Sequence, residues 1–217
     1  MKEARPLPKF LVDRHHGWRK ELEPATRMRL SQLAADGQSP AAMIVACCDS
    51  RVMASDVFGA EAGEFFVHRN IANLVPPYQP DGEPHGTSAT IEFAVNVLGV
   101  RHLIVMGHYG CGGVAGCIKQ HQDPSVKEQD KTAFVSQWLE VLEPRVPGVL
   151  KKGLDETHTQ RALEHDGVVL SLENLATFPF VKEAMAAGKL ELHGIWYDIQ
   201  GGVLEYYDAE EGEFRTV

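Results

Sequence analysis

The chain has 217 residues, 44% of them apolar, which is enough for one sizeable core and little more than one domain. Its 30 acidic residues outnumber 21 basic ones, and without a long Lys/Arg cluster the resulting charge of −9 argues against a nucleic-acid or anionic-membrane surface. No run of about 18 apolar residues occurs, and the N-terminus carries no apolar stretch of signal-peptide length, so a soluble, cytoplasmic protein is expected. The four cysteines are then expected as thiols or metal ligands, not as a disulfide framework.

Residues 1–36 read as an N-terminal helical arm. Phe10, Leu11, Trp18, Leu22, Met28, Leu30 and Leu33 give an interrupted amphipathic pattern that Pro24 breaks and Gly37 ends. The apolar run Ala42 to Ala46 suits a strand buried on both faces, and Gly63 to Arg69 and His102 to Met106 are two more strand candidates. Between them Ile91, Ala94, Val95 and Leu98 fall at helical spacing before Gly99. The mixed charged stretch from Gln120 to Lys131 reads as an exposed loop. Val135, Trp138, Leu139 and Leu142 mark a helix face before Pro144. Leu163 to Met185 is helical with an interruption near Pro179, and Gly188 closes it. The end of the chain, Leu190 to Ile199, Gln200-Gly201-Gly202 and Val203 to Tyr207, reads as a β-hairpin. Residues 37–217 are therefore expected to form one α/β domain with a central, mostly parallel sheet flanked by helices and its site at the carboxyl ends of the strands.

Two short stretches carry chemistry. Ala46-Cys-Cys-Asp-Ser-Arg-Val52 ends the first strand, and Gly107-His-Tyr-Gly-Cys-Gly-Gly113 follows the third. The tight glycine-rich turn can aim both His108 and Cys111 at one ion. A cysteine from the first strand would complete two thiolates and one imidazole, with the fourth tetrahedral position of zinc left open as catalysis requires. Asp49 and Arg51, one residue apart at a chain turn, can pair through the arginine fork. Cys117, six residues after Cys111, reads as packing.

The pattern Cys47-x-Asp49-Ser50-Arg51, followed some sixty residues later by His108-x-x-Cys111-Gly-Gly, resembles that of the β-class carbonic anhydrases. The resemblance extends through Phe66-Val-His-Arg-Asn-Ile-Ala-Asn-Leu-Val-Pro-Pro77, Ser88 to Val95 and Ser171 to Val181, and covers residues 36 to 207. It implies one Zn2+ per subunit on Cys47, His108 and Cys111, and reversible hydration of carbon dioxide to bicarbonate by attack of zinc-bound hydroxide. It makes Cys47 the ligand and leaves Cys48 a buried small hydrophobe or spectator thiol. Alternation along an extended segment agrees, because neighbouring residues point to opposite faces. For Asp49 it implies two uses: paired with Arg51 it accepts a hydrogen bond from the nucleophile, and unpaired it can occupy the metal and shut the site. Gln38, Phe66, Ile71, Phe93 and the Gly112 N–H match the family's substrate pocket, some of them contributed across a subunit interface. The family also implies a homodimer or higher oligomer, with the amphipathic arm wrapping a partner.

The chain departs from the family in places. One subgroup builds a non-catalytic bicarbonate pocket from a tryptophan, an arginine and a tyrosine; here Arg69 and Tyr197 match, but Ile44 replaces the tryptophan. Gln38-Ser-Pro40 and Asn70 to Pro77 are more similar to the plant-like subgroup, which implies a site open at neutral pH without bicarbonate-driven shutdown. Val97 stands where plant-like proteins can carry a shuttle histidine, so that route is missing, and Tyr109 and His68 are the nearest alternatives in sequence. His15, His16, His121, His158 and His165 read as solvated. Two other readings use the same residues: hydrolysis of carbon disulfide or carbonyl sulfide, and a non-catalytic zinc-stabilised interaction protein whose fourth ligand is Asp49 or Cys48.

Overall fold

Why Ala42–Cys47 becomes a strand is visible in its burial: all six residues are buried, as a strand covered on both faces requires. The computed structural model describes residues 4–128 and 132–217. In it, strand β1 (Ala42–Cys47) lies between β2 (Phe65–Asn70) and β3 (His102–His108), and the sheet continues through β4 (Glu191–Asp198), β5 (Val203–Asp208) and β6 (Glu213–Thr216) in the order β2-β1-β3-β4-β5-β6. The first four strands are mutually parallel, and β5 and β6 are antiparallel additions. The hairpin expected at the C-terminus is β4–β5, and its first strand also joins the parallel sheet through β3. Strand β6, after the turn at Gly212, lay outside the sequence expectation.

Alternation along β1 divides the core. Met43 and Val45 pack with Leu103 and Val105 of β3 and with Ile91, Val168, Leu175 and Phe178 from helices on one face. Ile44 and Ala46 pack with Met106 and Ile195 on the other. The helices on the first face are α4 (Gly86–Glu92, continued by a wider turn Phe93–Leu98), α8 (Glu156–Leu175) and α9 (Pro179–Ala186). Gly99, at φ 65°, ends the α4 segment, and Asp155 caps α8 by accepting the His158 N–H. Two glycines set the approach of α8. A Cβ at Gly107 would stand 2.7 Å from Val168 Cγ2, and one at Gly194 would stand 2.8 Å from Val168 Cγ1 and 2.9 Å from Leu172 Cδ1. Helices α5 (Gly112–Gln122), α6 (Ala133–Leu139) and α7 (Val146–Leu150) frame a further cluster that contains Cys47, Cys111, Cys117 and Leu163. A short α3 (Ala54–Phe58) follows the first motif.

The loop expected over Gln120 to Lys131 is corrected in part. Gln120 is buried in the last turn of α5, where its Nε2 donates to the Ser136 carbonyl, and Pro124–Glu128 forms a single 3-10 run; residues 129–131 lie outside the described residues.

The chain divides into two units, 1–38 and 39–217. The first holds α1 (Lys9–Glu21) and α2 (Pro24–Asp36), which has Pro24 at its first turn and ends at Gly37 with φ 84°. Neither helix has a buried residue, and Phe10, Trp18 and Met28 are exposed. Among the described residues no helix is long and apolar enough to cross a membrane.

Candidate metal centre

Parallel β1 and β3 bring their carboxyl ends side by side, and with them Cys47, His108 and Cys111. The three ligand atoms lie within 4.8 Å of one another, and all three residues are buried. Cys47 Sγ stands 3.9 Å from Cys111 Sγ. Two thiolates on a tetrahedral zinc at about 2.3 Å each would be about 3.8 Å apart, so the pair is spaced for one ion. His108 Nδ1 donates to the Tyr109 carbonyl at 3.0 Å, which leaves Nε2 as the unprotonated nitrogen. That Nε2 is buried and has no hydrogen-bond partner, a condition that costs on the order of 1–3 kcal/mol unless a ligand fills it. The donor set, its spacing and the orphaned nitrogen all fit a zinc ion.

The thiols are tuned against each other. The hydrogen bond from Cys111 brings Cys47 down to about 4 against the opposing effect of burial, with help from His108 and the amides of Asp49 and Ala72. The same interaction with Cys47, followed by burial, pushes Cys111 up, while the Gly113 and Val114 amides at the start of α5 work the other way. Burial disfavours a charged His108, but the neighbouring Cys47 outweighs it and raises the imidazole. The Asp49 and Ala72 amides thus favour a thiolate at Cys47, and the first amides of α5 favour one at Cys111.

Asp49 and Arg51 form the expected fork. Arg51 Nε donates to Asp49 Oδ1 at 2.9 Å, and a terminal guanidinium nitrogen reaches Oδ2 at 2.7 Å and the Gly110 carbonyl at 2.9 Å. Arg51 holds the Asp49 carboxyl well below the usual carboxylate range, against a smaller cost of burial. Asp49 Oδ2 also lies 4.0 Å from His108 Nε2, so the paired carboxylate borders the ligand cluster. Arg69 spends its guanidinium elsewhere: Nε donates to the Cys47 carbonyl, and a terminal nitrogen to the carbonyls of Asp49 and Val52, pinning the first motif.

Sequence reading did not single out the support behind Cys111. Buried Glu164, from α8, accepts the Cys111 N–H at 2.8 Å, the Trp196 indole N–H at 3.1 Å and a Gln160 amide N–H at 3.0 Å; Gln160 also donates to the Cys111 carbonyl. Burial raises the Glu164 carboxyl despite these donors. A polar residue at a helix position that faces the sheet was the available signal. Ala72 and Asn73, both at positive φ, form the other side of the cradle, an uncommon backbone for non-glycine residues. Gly113 allows this, since a Cβ there would stand 2.8 Å from Ile71 Cγ2 and 3.0 Å from Ala72 Cβ.

The other candidates fall in two places. Ile71 and Gly112 lie beside this cradle and are exposed, Ile71 at 37%. Phe66 and Phe93 contact each other with ring centroids 5.8 Å apart. Phe66 pairs with Met43, four residues or about 13 Å back along the sheet from Cys47. Phe93 is 43% exposed, so neither it nor Ile71 is plain core. Gln38 is exposed directly after Gly37. Cys48 is exposed and free, which corrects the expectation of a buried small hydrophobe and leaves that of a spectator thiol, while Cys117 is buried among apolar neighbours and pushed up to about 12 mainly by that burial. His165 is half-buried, not solvated, and stacks on Phe214 at 4.0 Å. His68 meets Thr87 Oγ1 at 3.0 Å, and burial lowers its pKa.

A mononuclear Cys–His–Cys centre at the carboxyl end of a parallel sheet defines a class of α/β metalloenzyme. Residues 42–204 match the carbonic anhydrase family. The chain is 36% identical over 211 residues to a carbonic anhydrase of Pseudomonas aeruginosa, covering 95% of this chain and 90% of that protein. It is 37% identical over 184 residues to the chloroplastic β carbonic anhydrase 5 of Arabidopsis thaliana, covering 83% of this chain but spanning 58% of that protein's length. The solved β-carbonic anhydrase CcaA superposes with a TM-score of 0.87 at 28% identity over 96% of this chain and 91% of that one. A tetrameric β-carbonic anhydrase of Sordaria macrospora gives 0.78 at 27% identity over 95% and 98%. The chain belongs to the carbonic anhydrase family, in its β class, whose members hydrate carbon dioxide with zinc.

Proposed function

We propose that this chain catalyses the reversible hydration of carbon dioxide, with Cys47, His108 and Cys111 holding one zinc ion and Asp49 with Arg51 governing the remaining position. The convergence of the three ligand atoms, with His108 Nε2 buried and unpartnered, carries the reading. Zinc, when bound, supplies the Lewis acidity that makes a hydroxide nucleophile available near neutral pH. The protein's part is orientation. The Tyr109 carbonyl fixes the imidazole, Glu164 fixes the Cys111 backbone, and the arginine fork keeps Asp49 ionised and turned away from metal ligation, as an acceptor for the nucleophile's proton.

The substrate has no charge to grip, so apolar walls from Phe66, Ile71 and Phe93, with the Gln38 side chain and the Gly112 N–H as donors, suit it. The distance of Phe66 from its own Cys47 favours a pocket completed by a second copy of the chain, and the exposure of Ile71 and Phe93 agrees. The arm of residues 1–36, with Phe10, Trp18 and Met28 exposed, serves as the dimerisation element. Commitment of the Arg69 guanidinium to three main-chain carbonyls supports a site free of bicarbonate-driven shutdown. Exposed, unpaired Cys48 suits a reducing compartment such as the cytoplasm.

The test is stopped-flow carbon dioxide hydration from about pH 6.5 to about pH 9, the range that brackets the acidity zinc confers on water, with zinc counted in the same preparation. Rates that climb with pH in a zinc-loaded protein are expected. A zinc-loaded protein inactive throughout would sink the proposal.

A further inference from the structure

Strand β3 carries a histidine at each end. His102 opens the strand, its register partner on β4 is Glu191, and His193 follows two residues later, so the period of two puts all three side chains on one face of the sheet. His102 Nδ1 stands 3.1 Å from His193 Nε2 and 3.4 Å from Glu191 Oε2, and His193 Nε2 stands 3.7 Å from that same oxygen. The two ring nitrogens can share a single proton. The carboxylate oxygen faces both rings at separations too long for strong hydrogen bonds. Ligands at about 2.1 Å from a tetrahedral divalent ion lie about 3.4 Å apart, in the middle of the observed range. The Cys47–Cys111 spacing meets the same geometric criterion with thiolate bond lengths.

We propose that His102, His193 and Glu191 form a second divalent transition-metal site, taking Zn2+ through two imidazoles and one carboxylate at the amino end of the sheet. His102 lies six residue steps before His108 on β3, about 20 Å of strand, so the site is independent of the Cys–His–Cys centre. Imidazole with carboxylate selects borderline ions such as zinc over magnesium or calcium. Binding needs no large movement: the proton between the rings shifts to another ring nitrogen, and the freed lone pairs point at the ion. A cleft of about 540 Å³ opens at His102 and Glu191 and is also lined by Arg101 and Lys189, which leaves room for water or a small anion in the remaining coordination positions. The ion would join β3 to β4 side chain to side chain at the end of the pair opposite the catalytic centre.

The experiment counts zinc. The holoenzyme, its His193→Gln variant and its Glu191→Gln variant are each equilibrated by dialysis against micromolar free Zn2+, and zinc per chain is measured by atomic emission. Loss of one zinc per chain on each substitution is expected, with the rate of carbon dioxide hydration unchanged. The melting temperature of the parent should rise with free Zn2+ above what the Cys–His–Cys centre already holds, and that of the variants should not. A zinc count unaffected by both substitutions overturns the proposal, because any excess zinc then sits elsewhere. Since the readout is the difference between parent and variant, it stands whether or not the Cys–His–Cys centre is loaded.

Discussion

The two ends of β3 present the same element, histidine, in opposite settings. His108 is buried, its ring is oriented by the Tyr109 carbonyl, and the backbone of its partner Cys111 is held by Glu164. His102 is more than a third exposed, and its partners His193 and Glu191 are exposed to a similar or greater degree. Burial with outer support produces a pre-organised centre whose unfilled state is costly; exposure produces one that tolerates standing empty. The carboxyl end is thus built for a resident ion and the amino end for one that comes and goes.

The comparison breaks most visibly at the ligands. Cys47→Ser is expected to lose bound zinc and to lower carbon dioxide hydration on the order of a thousand-fold or more, while Cys48→Ser, one residue on and exposed, leaves both intact. Zinc counts and stopped-flow rates on the pair decide it; an inactive Cys48→Ser with normal Cys47→Ser would reverse the ligand assignment. Next comes Asp49→Asn, expected to retain zinc and the fold while activity falls by about 100-fold. The pH behaviour has a definite sign. Arg51 depresses the Asp49 carboxyl, so the stability gained from the pair is fully present above the ordinary carboxylate pKa and is lost only as pH falls through the lower folded value. The Asp49→Asn protein should therefore lose less stability than the parent on strong acidification, and denaturant melts compared across acid pH would show the two curves converging.

Smaller effects sharpen the contrast between supported and unsupported ends. In Glu164→Gln one acceptor oxygen becomes an NH2 group facing N–H donors from Cys111, Trp196 or Gln160. Zinc affinity is expected to drop about 10- to 100-fold in chelator competition, as for other groups that orient metal ligands. Gly113→Ala forces Ile71 and Ala72 aside and is expected to cost about 1–3 kcal/mol in denaturant unfolding, with zinc held less tightly because the Ala72 amide lies against Cys47. An unchanged midpoint would mean the cradle relaxes more freely than its contacts suggest.

What could be read in advance follows the same division. The ligand trio was legible because two of its members share one turn, His108-x-x-Cys111, and the third ends a strand of uninterrupted apolar residues. Asp49 and Arg51 were legible because they are neighbours in the chain. Glu164 was not: its role depends on how α8 is rotated over the sheet, which no local spacing encodes. His102 and His193 are 91 residues apart and meet only through the register of β3 and β4. Strand β6 escaped notice because Glu213, Phe214, Arg215 and Thr216 give a short edge with one apolar side chain. Gln120 has the composition of a solvated loop, and only its bond to the Ser136 carbonyl shows why it is buried.

The bare surfaces of Gly107 and Gly194 reach further than packing. Helix α8 rests on them, and the same helix carries Glu164 to the back of Cys111. A methyl group at either glycine would act as a shim under a lever, lifting the carboxylate by a fraction of an ångström. Graded substitutions at these two positions would then give a dial for the placement of the Cys111 backbone, set through the packing of α8 on the sheet.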